Sequence, residues 1–281
     1  MEGAFHRAAI VGVGLIGGSL GLALKKTWPH RHVRGIGRDG ARLEAARRMG
    51  AIDEWTTDVE KGVRDRDLVI LATPVEHILS AFDTVGVLLA PGTLLTDVGS
   101  TKRQICSRAW DRLPGSVEFI GGHPVAGREV TGVQHSLSDL FVGAPYVLCP
   151  RGSTHTPHLE RLLNLVKSIG ARPHVMTPED HDLAIAWVSH LPQLLSTTLA
   201  LSVAGRGTEI SGSGLRDMLR LAGSSHAVWR SVIATNRDMI DQALQGFIEE
   251  LRAMRRKIAA GSLQGDFEYA ARIYERLKSA R

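Results

Sequence analysis

Residues 8–18 read Ala-Ala-Ile-Val-Gly-Val-Gly-Leu-Ile-Gly-Gly, and they restrict the fold more than any other stretch. Ala8 to Val11 are small or apolar and suit a buried strand. Gly12, Gly14 and Gly17 follow in G-x-G-x-x-G spacing, and Ser19 to Leu24 have the composition of a helix. A strand, a tight turn and a helix start, in that order, are what the pyrophosphate of a dinucleotide needs. Gly12 allows the turn, Gly14 lets backbone N–H groups approach the phosphates, and Gly17 lets helix and strand pack closely. The exposed N–H groups and positive dipole end of that helix then face the anion. A glycine triplet alone is only a flexible turn; the strand before it and the helix after it make the reading.

At 281 residues the chain has room for one large or two ordinary domains, and 43% hydrophobic content supports real cores. No run of eighteen uninterrupted apolar residues suggests a membrane span. Residues 1–9 lack the apolar run of a signal peptide. Cys106 and Cys149 are far apart and form no disulfide or metal pattern. A cytoplasmic protein with free thiols is expected. The net charge is +5, and the basic cluster Arg252, Arg255, Arg256 and Lys257 suits a solvated helix face. Nucleic-acid binding would want a basic stripe with stacking aromatics, and aromatics are only 5%. An anionic small molecule makes simpler use of the charge.

Along the chain, 32–36 read as a second strand and 41–49 as a helix with Asp39 as its N-cap. Residues 67–72 form a third strand ending at Thr73-Pro74, with helical pattern over 75–88. Residues 92–97 are another strand ending at Val98-Gly99-Ser100, 117–120 and 146–148 are short strands, and 157–169 a helix. This alternation predicts an α/β, Rossmann-type dinucleotide-binding domain over 1–177, a parallel sheet with helices on both faces. Gly12, Arg38, Thr73 and Ser100 follow strand ends, so they should line one crevice. From Glu179 no strand is evident. Leu183, Trp187, Leu191, Leu194, Leu195 and Leu199 keep helical spacing through Pro192, which should kink the helix or break a turn. Arg237 to Ile258 predict a long amphipathic helix. An all-α domain over 178–281 is expected, with apolar arcs wide enough for a partner subunit; packing within the chain remains the alternative.

Several residues are suited to chemistry. An NAD-preferring fold usually carries an acid at the end of the second strand, where this chain has Gly37 followed by Arg38. Arg38 suits a 2′-phosphate, so NADP is the reading, with NAD, through Asp39, or dual use as the alternative. His123, in Gly121-Gly122-His123-Pro124, should sit in a stiff loop at the ligand edge of the sheet, with an imidazole suited to proton transfer near neutral pH. Ser100 meets a helix start and suits an N-cap as well as a site. His190 lies on an apolar helix, where a satisfied core histidine is the plainer reading. Arg216 and Arg220 are i,i+4 neighbours if helical, a solvated face or a carboxylate clamp. His30 and His32, or His155 and His158, lack partners at ligand spacing, so no metal is expected.

The constellation resembles the prephenate and arogenate dehydrogenases of tyrosine biosynthesis. The likeness runs from about Ala8 to about Ile258. It rests on Gly12 to Ser19, Ala72-Thr73-Pro74, Thr96 to Lys102, Gly121 to Pro124, Ser189-His190-Leu191-Pro192 and Gly214-Leu215-Arg216-Asp217 leading to Arg220. The resemblance implies an intertwined homodimer through the helical domain and oxidative decarboxylation of a cyclohexadienyl acid, prephenate or arogenate. It also implies roles: His123 as acceptor of the ring C4 hydroxyl hydrogen bond, Ser100 as a holder of that hydroxyl and the nicotinamide, His190 as substrate-binding and Arg220 as carboxylate-binding. Gly12, Gly14, Leu15, Ile16, Gly17, Arg38, Thr73, Pro74 and Ser100 would hold the cofactor. Gly37 departs from NAD-preferring members, and Leu219 stands where a hydroxyl residue is common. No room is expected after the last helix for a regulatory or chorismate mutase domain. Another nicotinamide-dependent dehydrogenase of a small hydroxy acid, or a nucleotide-sensing module, remains as an alternative.

Overall fold

A computed structural model of the chain describes residues 5–128, 130–152 and 155–279. The first half alternates as expected: β1 (Arg7–Val11), α1 (Leu15–Thr27), β2 (His32–Ile36), α2 (Gly40–Arg48), β3 (Glu54–Thr56), α3 (Val59–Val63), β4 (Leu68–Leu71), α4 (Val75–Ala81), β5 (Leu94–Asp97), α5 (Arg103–Arg112), β6 (Glu118–Pro124), β7 (Pro145–Cys149), α6 (Pro157–Ser168) and β8 (Arg172–Val175). The strands lie in one sheet in the order β3-β2-β1-β4-β5-β6-β7-β8. β1 to β6 run parallel, whereas β7 pairs antiparallel to β6 and β8 parallel to β7. The wholly parallel sheet expected from the alternation is therefore corrected at its far edge, where the long segment 125–144 lets β7 return alongside β6.

Alternation along each strand decides what covers each face. Ala8, Ile10, Leu68, Ile70 and Leu94 pack with Leu20, Leu24 and Leu162 on one face. Ala9, Val69, Leu71 and Leu95 pack with Ile78, Phe82 and Ile105 on the other. A sheet covered on both sides needs apolar residues at successive positions, which is why β4 and β5 are buried throughout.

The helical half contains α7 (Pro178–Ile185), a π-helical turn (Ala186–His190), α8 (Leu191–Val203), α9 (Ser213–Leu219), α10 (His226–Thr235), α11 (Arg237–Ala260) and α12 (Gln264–Ser279). The break expected at Pro192 takes the form of that π turn, because Pro192 has no N–H to continue the ladder and instead starts α8. Other expectations shift. The helix of 75–88 stops at Ala81 and resumes only as a 3-10 turn at Gly86–Leu88. α9 ends at Leu219, so Arg216 and Arg220 do not share one continuous α-helix. α12 follows α11, a further helix beyond the last one the sequence pattern predicts.

Candidate active site

β1 has β2 on one side and β4 on the other, so the chain reverses its direction of winding across the carboxyl ends of β1 and β4. Ligands of open α/β sheets bind at such a point. Gly12 turns there with φ +95°, a conformation that L side chains rarely adopt. A Cβ on Gly12 would also lie 2.7 Å from Thr73 Cγ2 and 2.7 Å from the Ala72 carbonyl oxygen, so Ala72 and Thr73 border the turn directly, with Pro74 next in the chain. A Cβ on Gly17 would collide with the Gly12 carbonyl oxygen, the close packing its spacing predicts. A Cβ on Gly14 would meet no atom within 4 Å, and as N-cap of α1 Gly14 supplies no side-chain cap. The first N–H groups of α1, at Leu15 and Ile16, are thus suited to a phosphate. These residues fit a dinucleotide.

Arg38 is exposed just beyond β2. Asp39 accepts from the N–H of Ala41 (3.0 Å) and of Arg42 (3.2 Å), so it caps α2 as expected. Both bonds go to Oδ1, and Oδ2 lies 3.1 Å from the Arg42 guanidinium.

A cavity of about 300 Å³ lies beside this edge, lined by Ser100, His123, Pro124 and Val125 from the sheet half and by Ser189, His190, Val228 and Trp229 from the helical half. It lies at the small end of ligand-site volumes. His123 is not on a loop after β6 but within it, opposite Val147 of β7. The antiparallel return of β7 extends the strand past Ile120 and fixes the imidazole by a backbone ladder.

His123 Nδ1 lies 2.8 Å from His181 Nε2, and His181 Nδ1 lies 2.8 Å from Asp182 Oδ1. The network sets the protons. The carboxylate only accepts, so His181 Nδ1–H donates to it. Neutral His181 then accepts at Nε2 from His123 Nδ1–H, which leaves His123 Nε2 with a lone pair for an incoming hydroxyl. Burial, then His181, Lys102 and His190, push the His123 pKa well down, so it stays neutral. His181 is lowered by burial against the opposing pull of Asp182. Burial would raise Asp182, but hydrogen bonds from His181 and from the backbone of Arg103 and Lys102 hold it low.

His190 is buried, with its pKa pushed down to about 4 by burial. Asn236 Nδ2 donates to its Nδ1 at 3.3 Å, which makes Nε2–H a donor, and Trp229 meets the ring edge-on at 5.7 Å. The core histidine and the site histidine are one residue.

Ser100 lines the cavity but caps no helix. α5 begins at Arg103, and the carboxylate of Asp182 accepts from the N–H of Lys102 (2.7 Å) and of Arg103 (3.0 Å) in its place. Further bonds close the seam between the halves: Thr101 to Thr235 at 2.8 Å, Asn236 to the Asp182 carbonyl at 2.8 Å, and Arg103 to Asp238. Arg220 begins an exposed 3-10 turn and is not among the residues lining this cavity.

His181, Asp182, Asn236 and Trp229 escaped sequence reasoning. A signal existed for two of them: His181 and Asp182 occupy the buried face of α7 with Pro178 and Ile185, at i, i+3, i+4 and i+7. Two adjacent ionisable residues on an apolar stripe must have partners.

A dinucleotide edge, a neutral buried imidazole beside it and a helical half closing over both define an NAD(P)-dependent dehydrogenase. Residues 20–175 match the family model for the prephenate dehydrogenase nucleotide-binding domain and residues 177–275 that for the prephenate dehydrogenase dimerization domain. Prephenate dehydrogenase of Bacillus subtilis is 33% identical over 267 residues, 92% of this chain and 72% of that protein. The A. aeolicus prephenate dehydrogenase, solved with hydroxyphenyl propionate and NAD+, is 26% identical, with a TM-score of 0.89 and full coverage of both chains. The Synechocystis arogenate dehydrogenase structure is 28% identical, with a TM-score of 0.84, covering 98% of this chain and all of that one. The chain belongs to the prephenate/arogenate dehydrogenase family of tyrosine biosynthesis.

Proposed function

We propose that the chain oxidises and decarboxylates prephenate to 4-hydroxyphenylpyruvate, or arogenate to tyrosine, with NADP as its preferred cofactor. The observation that carries the reading is the Asp182–His181–His123 chain, which leaves an acceptor nitrogen on the cavity beside the dinucleotide edge. When bound, the nicotinamide takes up the hydride from ring C4. His123 Nε2 takes the C4 hydroxyl proton as that carbon becomes a carbonyl, so negative charge need not build on the oxygen, and returns it to that oxygen when the ring aromatises. The bond to the ring carboxylate breaks, its electron pair enters the ring, and carbon dioxide leaves a phenol. Aromatisation supplies the driving force.

Ser100 is assigned to the hydroxyl and nicotinamide, and the His190 Nε2–H suits an oxygen of the substrate. Arg220 remains the carboxylate-binding candidate through the resemblance alone. The relatives named above carry either prephenate or arogenate in their names, so substrate choice rests on the side-chain keto or amino group. The exposed apolar side chains Leu251, Met254 and Ile258 of α11 support a homodimer through the helical half. The test is an assay of both acids with both cofactors, alongside simple 2- and 3-hydroxy acids. Turnover of prephenate or arogenate, with NADP at least as effective as NAD, is expected. Turnover of a simple hydroxy acid with neither cyclohexadienyl acid used would overturn it.

A further inference from the structure

Lys102 is fully buried, and its ammonium pairs with the equally buried carboxylate of Asp97. The pair interlocks two motifs that the reaction above leaves unexplained: Asp-x-Gly-Ser-x-Lys, which runs from Asp97 through Ser100, and the Gly-Gly step before His123. Asp97 Oδ1 accepts from Gly122 N at 3.0 Å, one residue before the imidazole, and Oδ2 accepts from Gly99 N at 2.7 Å, one residue before Ser100. The glycines make room for this. A Cβ on Gly121 would lie 3.2 Å from Lys102 Cδ and 2.6 Å from Cys106 Sγ, and one on Gly122 would strike the Asp97 carbonyl oxygen. Lys102 therefore runs beneath the strand that carries His123, and a single carboxylate ties both site segments together.

Taking two charges out of water costs more than most pairs return, and an apolar pair of equal volume is often no less stable. A reason beyond stability is needed. We propose that Lys102 and Asp97 are positioning residues for His123 and Ser100: Asp97 fixes both backbones, and Lys102 sets its positive charge beneath the strand that carries the imidazole. The groups around His123 agree with this. His181 faces it from α7 with Asp182 behind, His190 from the π turn, and Tyr146 from β7 beside Gly122. Asp182 is already engaged by His181 and by two backbone N–H groups. Lys102 is the cation among the groups acting on His123, and it acts against protonation.

The proposal rests on His123 as the proton acceptor, so the experiment includes His123→Asn. Turnover of prephenate with NADP is followed against pH for wild type, Lys102→Met and the double variant Asp97→Asn/Lys102→Met, with thermal unfolding and NADP affinity measured on each. Lys102→Met keeps the Asp97 charge and loses the ammonium, so its acidic limb in kcat should move up by about 1 pH unit. The double variant loses both charges, and its limb should fall between that of Lys102→Met and wild type. Loss of packing alone would lower kcat without moving the limb. If Lys102→Met does not fold, the double variant, which buries no unpaired charge, carries the test against wild type. A folded variant with the wild-type limb overturns the proposal. A limb that persists in His123→Asn overturns the reading of His123 beneath it, and the two failures are distinct.

Discussion

In the sheet half, apolar side chains close on both faces of β1, β4 and β5, and Leu68, Leu71, Leu94 and Leu95 are wholly buried. In the helical half the fully enclosed cluster reduces to Ala186, Leu191 and Ala243, while Trp187, Leu201, Leu251, Ile258 and Phe267 stand open. The first half carries the cofactor edge on a framework that is complete by itself. The second lends His181, Asp182 and His190 to the site from helices whose apolar surface is still uncovered. The difference teaches where rigidity comes from: the seam residues, above all Asp182 capping α5, hold the helical donors against the sheet.

The largest effect expected outside catalysis is on the sheet core. Leu94→Ala should cost about 2–5 kcal/mol in urea unfolding, because its surroundings are packed on both faces. A cost no larger than that of an exposed helical leucine would erase the contrast.

Next comes the cofactor edge. Arg38→Ala should weaken NADP use by about 1.5–3 kcal/mol through loss of a charge-assisted contact, with NAD kinetics little changed. Equal weakening of both cofactors, or of neither, would remove Arg38 from the 2′-phosphate.

The smallest effect separates packing from assembly. Ile258→Ala, on an open stripe of α11, should fall within about 0.5 kcal/mol if the chain acts as a monomer. In a homodimer the same change should lower the unfolding temperature more at high protein concentration, where the wild type is dimeric, than at low. A concentration-independent result with a monomer by light scattering would speak against the assembly.

The parts of this account that were legible in the sequence are those with a strong local cause. Gly12 and Gly17 are demanded by a turn and a contact within a few residues of themselves, and Asp39 caps the helix next to it. β4 and β5 announce burial because both faces are covered. β3 and β8 are illegible because they are short edge strands with no buried residue: Trp55 of β3 and Arg172, His174 and Val175 of β8 are exposed. α12 has helical spacing at Phe267, Ala271, Tyr274 and Leu277, but no described residue of it is buried, so nothing in the core requires it. The site divides in the same way. His123 was visible from its glycines, whereas its setting in a strand depends on β7, some twenty-five residues later. The His181–Asp182 pair reads as part of a helix until the fold brings it 2.8 Å from His123. Ser100 reads as a cap in the sequence, whereas the cap of α5 comes from Asp182, 80 residues beyond Lys102.

The most direct test of the central claim is the pH dependence of kcat for wild type and His123→Asn. His123 must be neutral to accept the hydroxyl hydrogen bond, so activity is full above its pKa and lost as the pH falls through it. Burial sets that pKa well below the ordinary histidine value, so the wild-type acidic limb should lie below about 6.5. His123→Asn should fold, bind NADP and lose roughly 10²–10⁴-fold in kcat, with no acidic limb from this group. A variant with near-normal kcat, or with the wild-type limb intact, would contradict the account and turn attention to His190.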